Sequence, residues 1–203
     1  MRAVLLIGLT AGIMVSVSAA QDAAVAMTIE TITPPEPTLG ALRDLVPNAR
    51  EQEAALKAQE QATLSAIEGM AAPRAVLMVS LAFSSILVFF TSMQLRWAPG
   101  RPHVRLARRL GVLGLLTAAL RAIDGAQELV IAQRGVAASG RVLIELKVPD
   151  AETTVAITRW LIGAASVGRT VVVVGLFFVV STYFRSAKVQ AGFELTDEDD
   201  LDE

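Results

Sequence analysis

Four ionisable residues stand inside otherwise apolar stretches of the chain: Arg121, Asp124, Glu128 and Arg169. At 100° per residue, the first three lie within about 60° of one another on a helix. Carboxylates and guanidiniums arranged in this way could relay ions or protons, gate a pore, or hold helices together. Thr117 and Ser166 would extend the group into a polar seam. Counted from Arg109, Asp124 lies about 22 Å and Glu128 about 28 Å along one helix. Counted back from Arg185, Arg169 lies about 24 Å along an antiparallel one. These depths place Asp124 between Arg121 and Arg169, with Glu128 nearer the outer surface. The two cations and two anions cancel, which favours an interhelical salt-bridge network over an ion relay.

Other chemistries find little support in the residue types. The chain has no Cys and a single His, His103. This excludes disulfides, thiolate metal sites, iron–sulfur clusters and any site needing two imidazoles. No phosphate-binding loop, zinc-protease or nucleophile-elbow motif occurs, and Gly163 and Gly168 sit at helical spacing rather than in a phosphate loop. The acidic run Asp197 to Asp200 lacks the glycine and terminal glutamate of a calcium loop. We therefore expect neither enzyme activity, metal nor cofactor. A net charge of −2 gives no field for nucleic acid.

The elements that carry these residues belong to a membrane. Of 203 residues 53% are apolar, and the mean hydropathy is +0.53. Residues 1–20 have one early cation (Arg2), an apolar core and a small-residue end with Ser18 and Ala20 at the −3 and −1 places, as in a cleavable signal peptide. Residues 21–47 are Thr/Pro-rich and read as a linker. Asn48 with Glu51 marks a helix start, and residues 49–68 form an outer helix whose thin apolar stripe (Leu56, Leu64, Ile67, Met70) suits a partner-dependent element.

Three spans follow, over about 75–95, 110–131 and 160–183, in a transmembrane region of 74–184. The first has no charge and is long enough to cross roughly 30 Å of hydrocarbon. Ser80, Ser84 and Thr91 fall on one face of it, together with Leu87, and mark where a neighbouring helix can approach closely. The connector 96–109 holds five Arg, His103 and no acid, so it stays on the cytoplasmic side. That agrees with a signal peptide that places residue 21 outside. The same arginines could also meet anionic lipid headgroups or RNA, but topology alone accounts for them.

In the outer loop, Val142, Ile144, Leu146 and Val148 alternate with Leu143, Glu145 and Lys147, which predicts a short strand or an interfacial edge. Trp160 and Tyr183 bracket the third span as interfacial aromatics. The acidic tail 185–203 reads as a solvated, disordered cytoplasmic end. Its alternative is a docking peptide built on Phe193, Leu195 and Leu201.

The expected fold is an all-α membrane protein with a signal peptide, an outer amphipathic helix and three spans, N-terminus outside and C-terminus inside. This outline resembles phage holins of the three-helix type in topology, although the acidic tail departs from the basic one usual there. The resemblance implies pore formation through the seam of spans two and three. The residues themselves favour a non-enzymatic subunit in the bacterial-type inner membrane, in contact with lipid and with copies of itself or another membrane protein.

Overall fold

The computed structural model describes residue 4 and residues 6–15, 49–97 and 103–199. The expected cleavage site, the linker, the Asn48 cap and the centre of the basic connector lie outside these residues. Among the described residues there are six helices: α1 (Leu6–Val15), α2 (Ala49–Glu68), α3 (Ala71–Trp97), α4 (His103–Glu145), α5 (Ala151–Arg185) and α6 (Ala187–Asp199). No strand occurs among the described residues. Two helices, α3 and α5, are long and apolar enough to cross a membrane. The longest, α4, carries Arg121, Asp124 and Glu128 and is not one of the two.

The helices form two compact units. The first comprises residues 1–24, 74–124 and 169–203, and the second residues 25–73 and 125–168.

In the first unit the buried side of α3 follows Met78, Leu81, Ser85, Val88, Ser92 and Leu95. This alternating three- and four-residue spacing makes a continuous seam along one side of a helix. It differs from the expected face. Ser84 is buried, but Ser80 and Thr91 are only half-buried at the edges, because the larger Met78, Leu81 and Val88 centre the seam about one residue round. The core joins these side chains to Leu110 and Ala118 of α4 and to Phe177, Val180 and Phe184 of α5. A methyl group on Gly114 would stand 3.1 Å from the Phe177 carbonyl, so α4 and α5 meet nearly backbone to backbone.

Helix α1 also packs in this unit. Leu9, Ala11 and Val15 are buried. A Cβ on Gly8 would meet the Ser92 hydroxyl at 2.9 Å, and one on Gly12 the Ser85 carbonyl at 3.0 Å. The spacing Gly8-x-x-x-Gly12 thus lets α1 lie antiparallel against the serines of α3.

The tail is helical to Asp199. Phe193 is buried and stacks on His103, with ring centroids 6.1 Å apart. The expected disordered tail is therefore replaced by a short helix tied down by one aromatic contact, and Phe193 docks within the chain.

In the second unit α2 packs on the C-terminal half of α4 through small residues. Ala55 and Ala66 are buried, and a Cβ on Gly135 would meet the Thr63 hydroxyl at 2.7 Å. The expected stripe contributes less: Leu56 is exposed, and Leu64, Ile67 and Met70 are half-buried. Close approach selects the alanine face, so α2 finds its partner inside the chain.

The predicted strand is the end of α4. Val148 N–H donates to the Leu143 carbonyl at 3.1 Å and Lys147 N–H to the Ile144 carbonyl at 3.0 Å. These bonds form a Schellman motif with Lys147 in the left-handed region at φ 54° and Pro149 just beyond. Alternation of apolar side chains over so few residues is compatible with a helix terminus, and the backbone bonds settle which it is. A side chain at a left-handed position is strained by about 1 kcal/mol relative to glycine. Lys147→Gly should therefore stabilise the protein by about 1 kcal/mol, read as a raised midpoint of thermal unfolding in detergent. An unchanged or lowered midpoint would show that this turn is not under strain.

Candidate functional site

The buried face of α4 changes character along its length. Near its N-terminal end it presents Ala107 and Leu110; farther on come Thr117, Arg121 and Asp124, all buried. Helical spacing aligns the last three, and all belong to the first unit.

Asp124 is 0% exposed. A carboxylate removed from water needs compensating charge. Arg121, one turn earlier, lies with Nη1 against its Oδ2 and is itself 4% exposed. The second cation is Arg74 of α3, whose Nη2 stands 4.0 Å from Oδ1 and whose side chain is 11% exposed. Neither Asp124 oxygen has a hydrogen bond of regular geometry among the described residues, so charge rather than directed bonding holds the group. Thr117, two turns before Asp124 on the same face, donates its hydroxyl to the Leu113 carbonyl at 2.8 Å.

The ion pairs at Asp124 bring in Arg74 beside the expected Arg121. Arg169 is an exposed residue of the first unit. Glu128 and Ser166 are half-buried and belong to the second unit. Of the expected seam, Thr117, Arg121, Asp124 and Arg169 belong to the first unit and Glu128 and Ser166 to the second. Arg74 was read as the boundary of the first span. Because α3 begins at Ala71, Arg74 is instead a helical residue, 23 positions from Trp97. Asp124 is 21 positions from His103. On two antiparallel helices these distances, about 34 and 32 Å, bring the pair level. Counting both helices from their short connection was the signal that could have found it.

Chemically, the cluster is poor in reactive groups. Guanidiniums do not give up protons in proteins. No group of three or more His, Cys, Asp or Glu that could hold a metal occurs among the described residues. What the arrangement does is tie the start of α3 to the middle of α4.

Removing the carboxylate leaves two cations buried at one point, and breaking such an interaction costs about 3–5 kcal/mol. Asp124→Asn should therefore lower the thermal midpoint sharply. Arg74→Gln should cost less, because Arg121 remains against the carboxylate. Equal stability of Asp124→Asn and the parent protein, by melting in detergent, would contradict the structural tie. No protein-family model matches this chain, and no curated protein or solved structure does so.

Proposed function

We propose that the chain is a non-enzymatic integral membrane subunit that crosses a bacterial-type inner membrane and assembles into a homo- or hetero-oligomeric envelope complex. The observation that carries this reading is the inverted polarity of the first unit. Its outer surface presents Phe83, Phe90, Val112, Leu116, Val171 and Phe178, whereas Ser85, Ser92, Arg121 and Asp124 are inside. A soluble fold does the reverse, and so large an exposed apolar surface calls for lipid or a partner. In this reading α4 is a span beside α3 and α5. Its length supports this, and its charged residues Arg121 and Asp124 are turned inward.

Orientation follows from charge. Arg96, Arg105, Arg108, Arg109 and Arg185 gather at the chain ends of α3, α4 and α5 that face the cytoplasm, and residues 21–73 lie outside. Seating of α1 against α3 supports its retention as an anchor helix over removal as a leader. Its direction puts its N-terminal end on the same side as Ser92 and Arg96 of α3.

Assembly is supported by α5. Almost none of its most apolar stretch is covered, and Gly163, Gly168 and Gly175 have nothing within 4 Å of an added Cβ. Ala164 and Gly168, four residues apart, form the small-residue notch by which membrane helices pair. The partner is a second copy of this chain or the helix of another subunit.

Purification in mild detergent should yield a defined oligomer without ion current in planar bilayers. Gly168→Leu should shift it to a smaller species with its helical content intact, measured by light scattering and circular dichroism. The intact mass should include residues 1–20. Steady current from the parent protein would favour the pore instead, and a parent that is monomeric on its own and in membrane extracts would remove the assembly reading.

A further inference from the structure

At the arginine-rich end of the first unit, α3 and α4 enclose a cleft of about 630 Å³. Its rim is Arg105, Arg108 and Arg109, which helical spacing places on one side of α4. Its wall is apolar, with Leu87 of α3 and Val112 of α4, and Thr91 is the hydroxyl residue between rim and wall. No acidic residue lines it, and no ion pair engages the three arginines among the described residues. Apolar surface continues from it on both helices. One turn beyond Leu87 lies Phe83, and one turn beyond Val112 lies Leu116, both exposed. Three unpaired cations at the mouth of an apolar groove match one kind of molecule, an anion with a hydrocarbon chain.

We propose that this cleft binds the phosphate group of an anionic phospholipid, with an acyl chain laid along Leu87, Val112 and Leu116. This rests on the membrane reading above. Guanidiniums bind phosphate through paired N–H donors, and three of them within two turns can surround one headgroup. Topology alone asks for positive charge near the inner surface and is indifferent to where it sits. It does not require three arginines to converge on a groove or the groove to be lined with apolar side chains. The chemistry shared with a free phosphate ion is the dianionic or monoanionic phosphate; the apolar wall is what selects a lipid. Basic pockets between membrane helices on the cytoplasmic side are suited to such headgroups.

The experiment uses the full chain, purified in mild detergent and examined by native mass spectrometry with added phosphatidylglycerol or phosphatidylcholine. The parent protein should retain phosphatidylglycerol at least about tenfold more than phosphatidylcholine, as expected for loss or gain of about 1.4 kcal/mol per tenfold. Arg105→Gln, Arg108→Gln and Arg109→Gln together should bring the two lipids within about twofold. Val112→Trp fills the groove and leaves every charge in place. It should lower retention of phosphatidylglycerol severalfold while circular dichroism stays unchanged. Millimolar inorganic phosphate should not displace the lipid.

Equal retention of both lipids by the parent overturns the proposal, as does a Val112→Trp protein that binds like the parent. Displacement by inorganic phosphate would assign the arginines to a free anion. Extraction of the protein from membranes by alkaline carbonate would instead overturn the membrane reading itself, so the two failures are distinguishable.

Discussion

A carboxylate with no exposure to solvent imposes conditions on everything around it. Asp124 is fully buried, and the ionised group is tolerable there only where opposite charge meets it. Arg121 comes with the same helix, one turn away; Arg74 comes from α3. The tie therefore sets how far α3 slides along α4. With that register, Met78 to Leu95 of α3 face the apolar part of α4 instead of its charged part. Glycine and serine positions then let the remaining helices close in: Gly114 under Phe177, and Gly8 and Gly12 under Ser92 and Ser85.

The same economy of polar groups explains the exterior. Backbone groups of a helix bond within it, and several buried hydroxyls bond back to carbonyls of their own helix, as Ser85 does to Leu81 at 2.8 Å and Thr117 to Leu113 at 2.8 Å, whereas Ser92 Oγ has no such bond among the described residues. Little polar surface is left to face outward in the middle of the first unit, so its outside is valine, leucine and phenylalanine. In hydrocarbon such a surface is at rest, and only helix backbones can be presented there. Arginines gather where the apolar stretches stop, beside Trp97, whose ring lies 4.9 Å from the Arg96 guanidinium. Charge thus marks the ends of the bundle and one point inside it.

Much of this was legible in the residue order. The uncharged run 75–95 lies within α3, and the polar, small-residue side of α4 was visible from the spacing of Gly114, Thr117, Arg121 and Asp124. The partner of Asp124 was less visible. Depth counted from basic residues compares spans two and three and leaves out Arg74, because a residue at a span boundary reads as interfacial. Alternation at 142–148 was read as a strand because periods of two and 3.6 cannot be separated over so few positions. Helix α2 looked partner-dependent because large apolar residues are easier to recognise as a packing stripe than Ala55 and Ala66. Tail acids suggested disorder, but Phe193 supplies one buried contact against His103, and helix α6 forms on it.

What the sequence determined by itself is local in origin. Long apolar runs make α3 and α5 apolar helices, helical spacing puts Arg121 and Asp124 on one face, and the arginines of 96–109 fall at one end. These properties follow from composition and from 3.6 residues per turn, whatever the surroundings. Tertiary structure decided which of several cations meets Asp124, which small residues become contacts, and whether 142–148 extends or coils. Each of these depends on where a second segment lies, and a difference of one turn, about 5.4 Å, is enough to exchange one arginine for another.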